Sequence, residues 1–431
     1  MIFDLAVIGG GPAGYTAALE AVKEGLKVIL FEKNYLGGTC LNCGCVPTKY
    51  LLHSSEVYSA LDDLSFYGIS IEKRKNNYEK KKQNKNEVVR QLRENLEHLL
   101  KQNKIEIIYG NAELISNNLI KCNDIIFKTK YVLIATGSVP TKSIVDGSLN
   151  SSDILSLSKI PKSMNIIGGG VIAVEFAQIF NDLGTKVEIQ IRGKRVLKKW
   201  PKDIAIGLSQ ELKKRGINVK TDCSWENYNV DSAEVTMCAI GRSPYLVGLN
   251  TKLFDIANDG GIVVDMYGKT KSDNIYAAGD AIEDSSMLAH VAMEQARRIV
   301  RHITGKKIAS RSQVVNCIYT NPEIAIVGMT EKEAKDCNMN IITAKQTMYS
   351  NARTMIASAR RGFIKLIADV DTKKLIGAQL MCERATDIVN ELSLAINNGL
   401  TINNLIQSVR PHPSFAEAVT EALFLLEEKL K

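Results

Sequence analysis

Three cysteines stand within six residues of one another, in the segment Gly37-Gly38-Thr39-Cys40-Leu41-Asn42-Cys43-Gly44-Cys45-Val46-Pro47-Thr48-Lys49. Pro47 suits the first turn of a helix, so Cys45 falls at a helix N-terminus. Free amides and the macrodipole there favour the thiolate, the nucleophilic form of a thiol. Redox exchange between Cys40 and Cys45 is the chemistry this spacing offers. A metal site is an alternative, but zinc usually takes a second pair further along the chain, and none follows. Buried, unreactive thiols are a third reading, which sits poorly with the flanking glycines and polar residues. The chain has nine cysteines, an odd number, and the six outside this cluster are scattered, against a secreted disulfide framework. A local pair in a reducing compartment reads as catalytic, and no metal is expected.

What precedes the cysteines decides what they can face. An apolar run, Phe3 to Ile8, ends in Gly9-Gly10-Gly11-Pro12-Ala13-Gly14 and opens onto a predicted helix, Tyr15 to Glu24. A second apolar run, Lys27 to Phe31, ends at Glu32. That is a βαβ unit with a dinucleotide fingerprint. Gly9 allows the tight turn, Gly11 lets backbone approach a pyrophosphate at the helix N-terminus, and Gly14 lets helix pack on strand. Glu32 is placed to accept hydrogen bonds from a ribose. The pattern returns at Met164 to Ile167, Gly168-Gly169-Gly170-Val171-Ile172-Ala173, a helix to about Leu183 and a strand Lys186 to Ile191. Two such units imply two dinucleotides. Strands ending in Ala135-Thr136-Gly137, in Ala239-Ile240-Gly241-Arg242 and in Ile275 to Asp280 deliver further residues to strand ends, with Asp280 suited to a ribityl hydroxyl.

The expected architecture is α/β, with two Rossmann-like dinucleotide-binding domains and a C-terminal α+β domain. The boundaries are a first unit with the cysteines at 1–146, a second at 147–268, a return segment at 269–312 and a last domain at 313–431. In that domain, strands Gly362 to Ile367 and Leu375 to Leu380 accompany helices Ala385 to Asn398 and Pro413 to Leu430. The 431 residues, 45% hydrophobic and 24% charged, are those of a globular chain. The net charge of +8 lies largely in Lys73 to Lys104, read as a solvated helix with Lys80, Lys81, Lys82 and Lys85 exposed, so no nucleic-acid partner is expected. No leader and no membrane-spanning run is found, so the expected location is cytoplasmic, with no membrane partner.

The cysteine segment resembles the redox-active disulfide of the class I pyridine nucleotide-disulfide oxidoreductases, especially their lipoamide-using branch. The similarity covers essentially the whole chain and includes Ala135 to Gly137, Tyr276 to Asp280, Leu288-Ala289-His290, Tyr319-Thr320-Asn321-Pro322-Glu323 and His412-Pro413 with Glu417. It implies FAD in the first unit and a nicotinamide nucleotide in the second. By that resemblance Cys40 is the thiol that exchanges with substrate, Cys45 the thiolate against flavin, and Lys49 the lysine near flavin, paired with Glu175. His412 is the acid and base, held by Glu417 and contributed across a homodimer interface. The further cofactor-binding candidates are Lys33, Thr39, Lys49, Ala112, Thr136, Gly137, Gly168, Gly170, Ile172, Glu175, Arg192, Gly241 and Arg242. The implied reaction is oxidation of a dihydrolipoyl group, free or protein-borne. The alternatives are an NADPH-dependent, glutathione-reductase-like disulfide reductase and a non-catalytic flavin-binding subunit.

Four features depart from that pattern. Cys43 adds a thiol between the redox pair, and Arg410 stands where relatives often have a histidine. Val219 to Ala239 is short, which predicts a pruned nicotinamide domain. Ile191 occupies the place equivalent to Glu32, followed by Arg192, Lys194 and Arg195, with Ala173 at the third glycine position. That arrangement suits a 2′-phosphate and favours NADP(H) over NAD(H).

Overall fold

A computed structural model describes residues 2–224, 230–308, 312–359 and 362–431. The first unit holds, in chain order, β1 (Ile2–Ile8), α1 (Pro12–Lys23), β2 (Val28–Glu32), α2 (Gly38–Cys43), α3 (Cys45–Ser59), α4 (Tyr78–Gln102), β3 (Glu106–Tyr109), β4 (Glu113–Ser116), β5 (Leu119–Cys122) and β6 (Ile125–Ile134). β1 lies between β2 and β6, parallel to both, and Leu5, Ala6 and Val7 are wholly buried. A strand covered on both faces must be apolar on both, which explains the continuous run in place of alternation. β5 and β4 extend the sheet antiparallel to β6.

α4 is not the solvated helix expected. Tyr78, Lys85, Val89 and Leu100 are its buried residues, and spacings of seven, four and eleven put them on one stripe. Lys85 sits on that stripe and donates to the Leu155 carbonyl, and burial pulls its ammonium below the ordinary lysine range. Lys82 donates to the Ser156 carbonyl at 2.8 Å, so only Lys80 of this run is fully exposed. The lysines bolt α4 onto the start of the second unit.

That unit contains β7 (Ser138–Pro140), α5 (Ser151–Ile154), β8 (Ser163–Ile167), α6 (Val171–Asp182), β9 (Lys186–Gln190), α7 (Lys202–Lys214), β10 (Asn218–Lys220), β11 (Val235–Cys238) and β12 (Arg242–Pro244). Its parallel sheet runs β10-β9-β8-β11. Between β10 and β11 the described residues hold only one short turn, Val230–Ser232, as a pruned domain requires, and part of that link, 225–229, lies outside them. β7 and β12 pair antiparallel where the chain leaves the first unit and comes back. Leu249, Phe254 and Ile262 then join the core of Phe3, Ala6 and Phe31, so the chain is back in the first unit before residue 269. β13 (Ile275–Ala277) runs parallel to the last residues of β6, and α8 (Ala289–Ile303) packs along α1.

The last unit comprises β14 (Asn316–Ile318), β15 (Glu323–Gly328), α9 (Glu331–Asp336), β16 (Ile341–Thr347), α10 (Ala352–Ile356), β17 (Phe363–Asp369), β18 (Leu375–Cys382), α11 (Ala385–Asn397), α12 (Ile402–Ile406) and α13 (Glu417–Leu430). The sheet is antiparallel, ordered β14-β15-β18-β17-β16, with α11 and α13 packed against it. α13 begins at Glu417 and not at Pro413, and the Glu417 carboxylate accepts from the Ser414 amide in the turn before it. Among the described residues no helix is long and apolar enough to cross a membrane.

Candidate functional site

The first glycine loop is closed by contact with the end of β6. Gly9 has φ +106°, and a Cβ on it would lie 2.3 Å from the Ala135 carbonyl oxygen. One on Gly14 would lie 1.8 Å from the Gly9 oxygen, which ties α1 to the loop. Gly11 differs: it caps α1, and a Cβ there would meet only the Gly38 Cα, at 3.8 Å. Space therefore remains before the first amides of α1, where an anion binds. Thr136 presents a buried hydroxyl oxygen with no protein partner at the same strand ends. These features fit a dinucleotide laid across the ends of β1, β6 and β13, and Glu32, Thr136, Gly137 and Asp280 are the residues that would hold it.

Glu32 is buried, accepting from the Gly10 amide at 2.8 Å and from the Asn34 amide at 2.8 Å. Lys33 lies over the Tyr245 ring at 3.6 Å, and Ala112 packs against the Gly248 backbone. Asp280 accepts from the Ser138 hydroxyl at 2.6 Å, while Arg242 donates to that hydroxyl oxygen and to the Ser138 carbonyl, each at 2.7 Å. Arg242, a cofactor-binding candidate, thus connects through Ser138 to Asp280 at the end of β13. Burial lowers its guanidinium from the ordinary arginine range, opposed by Asp280. Ser138 was missed, although it directly follows Ala135-Thr136-Gly137.

The cysteines occupy the junction of α2 and α3. Cys40, half-buried, lies within α2 beside Thr39, and Cys45 is the exposed first residue of α3, as Pro47 predicts. Only glycine allows this junction, since a Cβ on Gly44 would lie 2.8 Å from the Thr39 carbonyl oxygen and 3.3 Å from the Cys40 Cα. Asn42 anchors α2 by donating to the Leu36 and Gly38 carbonyls, each at 2.9 Å. Cys45 is drawn down to about 7, first by the neighbouring Cys40 thiol and then by the Lys49 ammonium. Cys40 is pushed well above the ordinary thiol range, first by the neighbouring Cys45 thiol and then by burial. The surroundings of the two thiols are therefore unequal: Cys45 opens α3 one turn from the Lys49 ammonium, whereas Cys40 lies within α2.

Lys49 stands one turn after Cys45 and reaches both oxygens of Glu175 on α6, at 3.0 and 2.9 Å. Glu175 is buried and also accepts from the Tyr319 amide at 3.0 Å, while Lys49 lies over the Tyr319 ring at 4.6 Å. Three units thus meet at one ion pair. The tyrosine contact was not legible beforehand, because it depends on a backbone amide 144 residues away.

The second glycine loop repeats the first. Gly168 has φ +117°, a Cβ on it would lie 2.3 Å from the Ala239 oxygen, and Gly170 caps α6 with open space around it. Ile172 follows in the first turn of α6, and Gly241, at φ +135°, lies in the link between β11 and β12. Ile191 is buried, its Cγ2 2.6 Å from where a Gly169 Cβ would be. Arg192 and Lys194 are exposed beside it, whereas Arg195 donates to the carbonyls of Lys198 at 3.2 Å and Trp200 at 3.4 Å.

In the last unit His412 Nδ1 lies 2.7 Å from Glu417 Oε1, and the His412 side chain is 74% exposed. The Ser414 amide and then His412 hold the Glu417 carboxyl below the ordinary glutamate range. With a carboxylate accepting at Nδ1, Nε2 is left to exchange protons. Arg410 is buried, bonded to Glu391 at 3.2 Å and Thr420 at 2.9 Å, so it buttresses the turn before His412.

Residues 3–296 match the profile of the pyridine nucleotide-disulphide oxidoreductases, and residues 314–423 that of the same family's dimerisation domain. A dihydrolipoyl dehydrogenase of Mycoplasma genitalium is 32% identical over 447 residues, covering 98% of each chain. Among solved structures, LpdA of Mycobacterium tuberculosis superposes with a TM-score of 0.91 at 25% identity, covering 98% of this chain and 99% of that one. The HOCl-induced flavoprotein disulfide reductase RclA of Escherichia coli does so at 0.88 and 26%, covering 98% and 100%. The chain is a flavoprotein disulfide oxidoreductase that belongs to the pyridine nucleotide-disulphide oxidoreductase family, which depends on FAD, uses NAD(P) as electron acceptor and carries a homodimerisation domain.

Proposed function

We propose that the chain is a dihydrolipoyl dehydrogenase acting as a homodimer in the cytoplasm, in which His412 of one protomer serves Cys40 and Cys45 of the other. The reading rests above all on the placement of Cys45 at the first turn of α3, one turn from Lys49 and its Glu175 partner, with Cys40 in the adjoining α2. His412 Nε2 takes the proton of one dihydrolipoyl thiol, and the resulting thiolate attacks the Cys40 sulfur. The Cys40–Cys45 bond breaks and Cys45 leaves as the thiolate its surroundings favour. The second dihydrolipoyl thiol then attacks the substrate sulfur of the mixed disulfide and passes its proton to the departing Cys40. Lipoyl disulfide is released, leaving a Cys40 thiol, a Cys45 thiolate and a protonated His412. Bound FAD would supply the two-electron relay between this dithiol and the nicotinamide. The substrate is free dihydrolipoamide or a lipoyl-bearing protein.

We assign NADP(H) as the favoured nucleotide, because Ile191 offers no carboxylate to a ribose hydroxyl while Arg192 and Lys194 stand exposed beside it. The same observation favours a second reading, an NADPH-dependent, glutathione-reductase-like enzyme. Turnover of the purified flavoprotein with dihydrolipoamide and with glutathione disulfide separates the two. The proposal expects the lipoyl substrate to be faster, and a faster glutathione reaction overturns it.

A further inference from the structure

Cys43 is the thiol that this mechanism leaves unused. With Cys40 it forms Cys40-Leu41-Asn42-Cys43, a C-x-x-C pair inside the longer redox segment. Residues three apart on a helix share a face, with Cβ atoms about 5–6 Å apart, against about 3.5–4.5 Å in a disulfide. Cys43 is the last residue of α2, and the following Gly44 is non-helical at φ −139° and ψ −111°, so the closing movement falls on a helix end. Gly44 also presses on Cys40, a Cβ there lying 3.3 Å from the Cys40 Cα. Cys43 and Cys45 are the two residues flanking that contact.

We propose that Cys43 is a third exchange thiol that gives Cys40 an alternative disulfide partner, so that the oxidised protein exists as two isomers. The Cys43 thiolate attacks the Cys40 sulfur; the Cys40–Cys43 bond forms, the Cys40–Cys45 bond breaks, and Cys45 departs as the thiolate. The proton lost by Cys43 goes to solvent, and no electrons enter or leave. Arg242 lies close enough for its charge to interact with both the Cys43 and the Cys45 sulfurs, which places the two thiols beside one another on that side of the site. A leaving thiol of low pKa departs faster, and Cys45 is that thiol. In the second isomer Cys40 is capped and Cys45 is released, a resting form that the reverse exchange restores. This inference rests on the proposed role of Cys40 as the exchange thiol.

The test uses the oxidised holoenzyme without reductant, quenched in acid, treated with N-ethylmaleimide and cleaved with trypsin. Lys33 and Lys49 bound a single peptide, Asn34 to Lys49, that carries all three cysteines, and its fragmentation reports which is alkylated. The inference expects alkylated Cys45 with linked Cys40 and Cys43 in at least about one molecule in ten, the share left by a tenfold preference for the Cys45 partner. It also expects a long-wavelength thiolate–flavin band before reduction, absent from Cys43→Ser and Cys43→Ala. Alkylation confined to Cys43 in the wild type overturns the exchange. Cys40→Ser holoenzyme is the separate check: if it lacks the band, the assignment of Cys45 itself falls, whereas a band there with no Cys40–Cys43 linkage in the wild type overturns the exchange alone.

Discussion

The Lys49 ammonium lowers Cys45 by its charge, and its removal makes a quantitative test. Residues four apart on a helix have Cβ atoms about 5–6 Å apart, so the two charges lie roughly 6 Å from each other. At an effective dielectric of about 20, the attraction is about 2.8 kcal/mol, or about two pKa units. Lys49 is 34% exposed, and solvent screening of about one half leaves roughly one unit. The N-terminus of α3 adds about 0.3–1 kcal/mol, so the lysine outweighs or equals it. Lys49→Met should therefore raise Cys45 from about 7 to about 8. Glu175 acts on Cys45 in the opposite sense, so Glu175→Gln should lower it. Lys49→Met also strands a buried carboxylate with the Tyr319 amide as its remaining assigned donor, and the double variant Lys49→Met/Glu175→Gln removes that cost, its Cys45 midpoint falling between those of the two single variants. The assay is the rate of alkylation at Cys45 in the reduced protein, resolved by peptide across pH. A Cys45 midpoint that moves by less than about 0.3 units in both the single and the double lysine variants would refute the assignment of the ion pair as the tuning element.

The glycine loop makes a paired prediction: Gly14→Ala, whose Cβ meets the Gly9 oxygen at 1.8 Å, should lower Tm sharply, whereas Gly11→Ala should fold and lose flavin affinity, as thermal melts and flavin fluorescence will distinguish. His412→Gln should lose about 10²–10⁴ in kcat with flavin content and dimerisation intact, measured by turnover and gel filtration. Little change would remove His412 from proton transfer. Arg192→Ala should weaken NADP(H) selectively, and Ile191→Asp should shift kcat/KM towards NAD(H) at a cost in Tm, because Ile191 is buried against Gly169. A wild-type preference for NAD(H) overturns that assignment and leaves the disulfide chemistry untouched.

What could be read beforehand follows from how local each interaction is. The glycine loops, the strands that feed them and the helix start at Cys45 are set by residues within a few positions, so pattern and turn chemistry reveal them. Lys85 misled because it sits in a run of lysines, where only the spacing to Tyr78, Val89 and Leu100 shows that it faces the protein. The Arg242, Ser138 and Asp280 chain spans separations of 104 and 142 residues, and no local pattern reports it. The turn from Pro413 to Ala416 that precedes α13 is likewise not marked by the helical propensity of its residues. The early return before residue 269 has the same origin: Leu249, Phe254 and Ile262 are ordinary apolar residues until the core that receives them is known.

The two glycine loops also separate what builds a dinucleotide fold from what selects the dinucleotide. Gly9 and Gly168 sit at φ +106° and +117° and press equally, at 2.3 Å from a Cβ position, on a carbonyl of the neighbouring strand end. The backbone solution is therefore the same twice, and cofactor choice cannot come from it. It must come from the residue that ends the second strand of each unit. Glu32 closes its loop with a hydrogen bond to the Gly10 amide, which holds a carboxylate at the rim. Ile191 packs at the equivalent loop, its Cγ2 2.6 Å from where a Gly169 Cβ would be, and on the proposed NADP(H) reading recognition passes to the cations that follow. On that reading closure and selectivity are carried by one side chain in the first unit and by different side chains in the second. A change at Arg192 should alter nucleotide choice with little effect on folding, whereas a change at Glu32 should disturb both.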